Sequence, residues 1–412
     1  MPRLARLSKL LLFALLCSCQ PASPPPAVQA RDVAAERIRS DVRALADDAM
    51  QGRETATPGF DRAADAVAAR FRQMGLQPAG DGGTFFQRVP LLKATRLAEG
   101  SVLDVVRTDR TIHLRFRDHF LPDPNCDLAQ DAVRAKAVFV GQGVSAPDLQ
   151  HDDLAGLDLR GRIAVVLGGA PARFADDRRA VEASPAQKLH TLAARGAIGV
   201  VFIDTAEDEA QVSWSQRSAR WDRPALCLRD AAGHGIDTLP QLRVVARVSA
   251  AAADLLLDGS GHTAAGLAAA AHFGQLHGFA LPVTLAMSAR THTEAADSRN
   301  VLAAIPGSDA ALATQFLLYS AHLDHLGVAA PGVGGDRIYN GALDNALGVA
   351  IILETARQLH ALPHAPRRSM LFAALTAEEQ GLLGAQWLAS HPPGALIADI
   401  NLDMPMLLAP TR

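Results

Sequence analysis

The chain carries no block of lysine and arginine. Its 40 basic residues are dispersed among 43 acidic ones, for a net charge of −3. That excludes the concentrated positive field of a nucleic-acid-binding surface. A membrane-spanning run is also missing at the N-terminus: the apolar stretch Leu10 to Leu16 is far shorter than the roughly 20 residues a bilayer requires. Cysteine is scarce, with four in 412 residues. Cys17 and Cys19 stand in the leader, so Cys126 and Cys227 are the one possible pair in the body of the chain. They can bridge only if their Cα atoms lie within about 7 Å, which spacing leaves open. Hydrophobic residues, by contrast, make up 49%, which marks a globular chain long enough for more than one core.

Arg3, Arg6 and Lys9 precede Leu10 to Leu16, and LCSC, Leu16 to Cys19, follows. This is the order of an export signal. LCSC resembles the bacterial lipobox, which implies lipidation of Cys19 and a lipoprotein anchored through it to the outer or inner membrane, facing the periplasm. Residues 1–19 are therefore expected to be a lipoprotein signal peptide, with ordinary secretory cleavage near Ala30 as the alternative. Residues 20–31 read as a Pro-rich linker.

Beyond the leader, helices are expected over 32–47 and 59–74. In the second, Phe60, Ala64, Val67, Phe71 and Met74 form one stripe and Gly75 supplies a stop. QGRETATPG lies between them as a loop. Short strands are expected at Val102 to Val106 and Ile112 to Phe116. A second unit, residues 121–279, shows strand patterns at 137–140, 163–167, 198–203 and 241–248 with a helix at 188–195. It has no metal or nucleophile spacing; His151, Asp152 and Asp153 read as a charged turn. From residue 281, strands at 301–305, 316–319, 370–375 and 396–402 alternate with helices at 347–360 and 381–389. That alternation predicts an α/β fold, a sheet with helices on both faces.

Open α/β sheets bind ligands beyond the carboxyl ends of their strands. Strand 316–319 is followed by His322 and Asp324, strand 370–375 by Glu378 and Glu379, and strand 396–402 by Asp403. The loop NGALDN places Asp344 at the start of helix 347–360. Each has a plainer explanation alone: Asp344 as a helix N-cap, Glu378 and Glu379 as acids of a first helical turn, His322 as a hydrogen-bonded strand end. Together they put several carboxylates at one rim. Like charges raise each other's pKa, and a divalent cation reverses that balance. An imidazole among carboxylates suits zinc better than calcium or magnesium, and the number of carboxylates suggests two ions sharing an aspartate.

AHLDHLG, YNGALDNALGVA, TAEEQGLLGA and NLDM, in that order, resemble peptidase family M28, the co-catalytic zinc aminopeptidases. MQGRETATPG, FRQMGLQPAG and SRNVLAAIPG are similar to further segments of that family, and DLAGLDLRGRIAVVLGGAP with LAARGAIGVVFID resembles the protease-associated domain that many members carry. The resemblance implies a mixed sheet flanked by helices on both faces, split over 32–120 and 280–412, with residues 121–279 as a mostly-β protease-associated insert. It implies His322, Asp344 and Asp403 around one zinc, with Asp344 bridging to a second zinc that Glu379 also binds. Glu378 would be the general base, and Asp324 would fix the His322 ring through its other nitrogen. His325, one residue out of phase on an extended chain, is expected to point away. The activity implied is hydrolysis of peptides at the N-terminal residue.

The family set includes one more histidine, from a later strand or loop, for the second zinc. After Glu379 this chain has only His391, ahead of strand 396–402, so the second site is expected to be incomplete and the domain C-terminally truncated. A carboxypeptidase, a glutaminyl cyclase-like enzyme, or a non-catalytic lipoprotein binding module are the competing expectations.

Overall fold

The computed structural model describes residues 26–329 and 335–405. The expected signal and the lipidation position Cys19 lie outside them.

Helix α1 (Pro26–Leu45) starts inside the stretch expected to be a linker. Proline is tolerated in a first helical turn, where its missing N–H leaves no bond unmade, so residues 26–31 are helix. Helix α2 (Pro58–Gln73) follows the same rule with Pro58 at its start, and the Thr57 hydroxyl accepts from the Phe60 N–H at 3.4 Å. Its stripe of Phe60, Ala64, Val67 and Phe71 is buried.

Two strands run far past their predicted ends: β1 (Phe86–Val106), of 21 residues, and later β6 (Phe279–Ile305), of 27. They pair antiparallel from Val106 opposite Thr284 to Phe86 opposite Val301. Their polar middles, such as THTEAADSR, hid them from a reading based on apolar runs. Strands β2 (Gln130–Phe139), β3 (Ile163–Leu167), β4 (Gly199–Ile203) and β5 (Val244–Val248) lie between in sequence. After β6 come β7 (Gln315–His322), helix α3 (Leu347–His360), β8 (Ser369–Leu375), helix α4 (Leu383–Ser390) and β9 (Ala395–Asn401). One sheet holds them in the order β9-β7-β8-β6-β2-β3-β4-β5. β7, β8 and β9 are parallel, β6 is antiparallel to both β8 and β2, and β2 through β5 are parallel. The sheet is thus mixed and continuous through β6 across both halves of the chain.

Alternation along each strand sorts its side chains onto two faces. Val301, Ala303, Ile305, Phe372 and Ala374 face α2 and α3 in one core; Leu302, Leu371, Ala373 and Leu375 face Leu388 of α4 in another. Helices therefore cover both faces, as expected. Residues 121–279 depart from the mostly-β expectation. Six helices, among them Pro185–Ala194 and Ala264–His272, accompany β2–β5, giving an α/β layer. Pro185–Ala194 is the helix expected at 188–195; the others span six to nine residues, too short for a clear periodic stripe, and the last lies in the Ala-rich stretch read as a connection. Cys126 and Cys227 are bridged, with Cα atoms 6.5 Å apart. Among the described residues no helix is long and apolar enough to cross a membrane.

Candidate metal centre

The site forms where β7 and β8 end and the chain leaves the sheet. His322 is the last residue of β7. Its ring is held on one side by the Asp324 carbonyl, 3.0 Å from Nδ1. A neutral imidazole that donates from Nδ1 carries a lone pair on Nε2. That lone pair faces Asp344 Oδ1 at 3.1 Å and Asp403 Oδ1 at 3.2 Å. Two carboxylate oxygens against Nε2 call for positive charge there, supplied either by a proton on the ring or by a cation held between the three atoms. Edges of a tetrahedron built on zinc bonds of roughly 2.0–2.2 Å are roughly 3.3–3.6 Å, close to these separations. The donor set fits the ion.

Asp344 turns its second oxygen the other way. Oδ2 lies 3.7 Å from Nδ1 of His325, and that same Nδ1 is 2.7 Å from Glu379 Oε1. Each triad, His322–Asp344–Asp403 and His325–Asp344–Glu379, presents one ligand atom per residue with all three within 4.8 Å of one another. His325 therefore does not point away. The strand ends at His322, so the alternation that predicted opposite facing no longer applies to residue 325. The His325 N–H donates to the Arg53 carbonyl at 3.2 Å, which fixes its backbone in the new direction. Asp344 is not the cap of α3: its backbone is non-helical, and Ala346 occupies the cap position. Asn345 ties that turn to the end of β9, accepting from the Gly348 N–H at 3.1 Å and donating to the Leu402 carbonyl at 2.8 Å.

Asp324 meets the His322 ring through its backbone carbonyl rather than its carboxylate. Its carboxylate stands 3.9 Å from His322 Nδ1 and instead accepts from the backbone N–H groups of Glu378 and Glu379, at 3.1 and 3.2 Å. Carbonyl and carboxylate of one residue thus hold the ring and the glutamate pair in register. Asp324 is 1% exposed, and burial pushes its pKa up to about 6 despite the opposing charge of His322. Burial also raises Glu378, with Asp324, Glu379 and Asp403 adding to the effect against His322. Glu379 lies below the usual range, because the hydrogen bond and charge of His325 outweigh its burial. Burial lowers His322, but Asp324, Glu378 and Asp403 outweigh it and hold the imidazole above its ordinary value. The site attracts positive charge.

Arg53 is the residue that motif reading passed over. It is fully buried and donates to four carbonyls: Leu323 at 2.8 Å, Leu45 at 2.6 Å, Asn340 at 2.7 Å and Gly341 at 2.9 Å. Two of those belong to the loop leading to Asp344 and one precedes Asp324. Burial lowers its pKa to about 10 against the charges of Asp324, Asp344 and Glu379, so it stays cationic at neutral pH. Gly52 beside it has φ +64°, and a Cβ there would sit 2.3 Å from the Gly327 carbonyl oxygen and 2.7 Å from that of Tyr339. The only signal was the placement of both inside QGRETATPG.

Residues 300–410, which include every residue of the two triads, match the model of peptidase family M28. This segment is similar to that family. A "Probable zinc metalloprotease" of Pyrenophora tritici-repentis is 49% identical over 67 residues, 16% of this chain and 15% of that protein. A "Vacuolar membrane protease" of Candida dubliniensis is 36% identical over 105 residues, 26% of this chain and 10% of that protein. The chain thus spans a minor part of the curated relatives' length. Among solved structures, an aminopeptidase from Aneurinibacillus sp. strain AM-1 is 19% identical, covering 90% of this chain and 70% of its own, at a TM-score of 0.45.

Proposed function

We propose that the protein is an exported zinc metallopeptidase that removes N-terminal residues from peptides, with two zinc ions in the M28 segment. The observation that carries this reading is Asp344, which offers one carboxylate oxygen to each of two imidazoles. His322, Asp344 and Asp403 would hold one ion; His325, Asp344 and Glu379 the other. Bound there, zinc supplies Lewis-acid polarisation of the scissile carbonyl and lowers the pKa of water to about 7.

The chain's own groups do the rest. Glu378, half-buried, has its carboxylate 4.0 Å from His322 Nε2 and is not a member of either triad. It takes the proton of the attacking water and returns it to the leaving amine. Asp324 keeps Glu378 and Glu379 apart in role by gripping both backbones, so that one carboxylate faces ligand and the other water. The ion that His325, Asp344 and Glu379 would hold would be available to the substrate's free α-amine. Export is supported by the Arg3, Arg6, Lys9 and Leu10 to Leu16 pattern, which lies outside the described residues, and by the bridge between Cys126 and Cys227, since disulfides persist in oxidising compartments. Anchoring through Cys19 belongs to the same reading.

Zinc-loaded protein is expected to release the first residue of a free peptide and to leave its N-acetylated form intact. Glu378→Gln is expected to keep its zinc, read by atomic absorption, and to lose about 10²–10⁴-fold in kcat. Equal cleavage of the acetylated peptide would remove the exopeptidase assignment. Undiminished turnover by the variant would remove Glu378 as the base.

A further inference from the structure

A cavity of about 830 Å³ opens beside the metal centre, lined by Glu379, Leu326 and Tyr339 from the rim of the sheet, by Arg247 and residues drawn from 211–225, and by Arg96 with Asp123, which pair at 3.6 Å. Its volume is that of a small-ligand or short-peptide site. The wall supplied by the insert is rich in arginine, and its charges are not matched. Arg217 and Arg247 share a single carboxylate, Asp204, at 3.4 and 2.6 Å. Arg223 is neutralised by Glu54 at 2.9 Å and donates to the Leu326 carbonyl. Arg220 has no carboxylate within 4.0 Å among the described residues. Its guanidinium donates to the Tyr339 hydroxyl and lies over the Tyr339 ring, 5.2 Å from the centroid. Stacking and a neutral hydrogen bond hold the guanidinium in place and leave its charge uncompensated.

We propose that Arg220 is a specificity-determining residue that receives a carboxylate of the peptide whose scissile bond lies at the metal centre, either an acidic side chain or the free C-terminus of a short peptide. This rests on the peptidase reading for the identity of the ligand. Three features carry it. The cavity wall is continuous from Glu379 to Arg220. The guanidinium is half-buried and pre-oriented by Tyr339, so little rotamer freedom remains to be lost on binding. A planar fork of donors matches a carboxylate in bidentate geometry.

The test uses the zinc-loaded full chain carrying Glu378→Gln, so that binding is read without turnover. Calorimetry compares four probes: Leu-Gln-Ala amide as the neutral reference, Leu-Glu-Ala amide and Glu-Leu-Ala amide for the side chain, and Leu-Gln-Ala free acid for the terminus. At least one carboxylate-bearing probe is expected to bind about 10-fold more tightly than the reference, and the winning probe identifies the source. Adding Arg220→Gln is expected to bring that ratio to within about 2-fold, and Arg220→Lys to retain part of it. Equal binding of all four probes, or a preference that survives Arg220→Gln, overturns the proposal. Turnover of the neutral amide by the chain with Glu378 intact is scored separately, so that failure of peptide hydrolysis and failure of carboxylate selection are told apart.

Discussion

Arg53 contributes no ligand atom, yet it joins three segments that the site depends on. Replacing it by leucine would strand four carbonyls that it now satisfies and would remove the cation facing Asp324, Asp344 and Glu379. Unpaired buried polar groups cost about 1–3 kcal/mol each, and breaking a buried ionic arrangement about 3–5 kcal/mol. Arg53→Leu is therefore expected to lose about 3–5 kcal/mol in denaturant unfolding and to weaken zinc binding, read by competition with a chelator. Wild-type stability in that variant would show that the four bonds are replaceable by water. At this scale the sequence was most legible where an ionisable group directly follows an apolar strand, which located His322, Asp324, Glu378, Glu379 and Asp403. It was least legible at His325, whose direction follows from a backbone turn made after the strand has ended, and at Arg53, whose partners are carbonyls and leave no side-chain pattern.

Among the elements, α2 and α3 could be read closely because each buries a clear stripe against β6 and β8. The β1–β6 ribbon could not, because a strand whose backbone is satisfied on both edges needs no continuous apolar face. The other short helices of residues 121–279 were missed for want of a full period. The one expected at 188–195 is present as Pro185–Ala194 and carries Lys188, which is 1% exposed and donates to the carbonyls of Gln142 and Gly169. Burial lowers its pKa from 10.5 to about 8, against the charges of Asp153 and Glu182. The unfolded chain therefore binds more protons than the folded one between about pH 8 and 10.5, so this lysine makes stability rise with pH across that window and costs most below it. The full effect is of order 3 kcal/mol at about 1.4 kcal/mol per pKa unit. The stability difference between wild type and Lys188→Met, measured by denaturant at pH 8 and pH 10, is expected to shift in favour of the wild type at the higher pH. A difference independent of pH would mean that Lys188 stays ionised in the fold.

For the whole molecule, the continuous sheet joins residues 121–279 to the long β1–β6 ribbon, and the bridge between Cys126 and Cys227, 101 residues apart in sequence, closes a loop within that region. The strand Ala225–Leu228, which holds Cys227, pairs with β1 opposite Leu91 to Ala94. Removing a native disulfide commonly costs about 2–5 kcal/mol. The Cys126→Ser, Cys227→Ser double variant is expected to melt at lower temperature than the oxidised wild type, and to be indifferent to reductant. Identical melting of the two forms would show that sheet pairing alone fixes residues 121–279 against the ribbon. The sequence announced the alternation of strands and helices but not this continuity, because register between distant strands is a property of pairing and leaves no local trace.

Zinc-edge anomalous scattering from crystals of the zinc-loaded chain tests the central claim. The account predicts two peaks on either side of the Asp344 carboxylate, about 3.5–4 Å apart as in two-metal sites, one against His322 and Asp403, the other against His325 and Glu379. A single peak with His325 free of it would contradict the second triad, and no peak within ligand distance of Asp344 would contradict the metal centre as a whole.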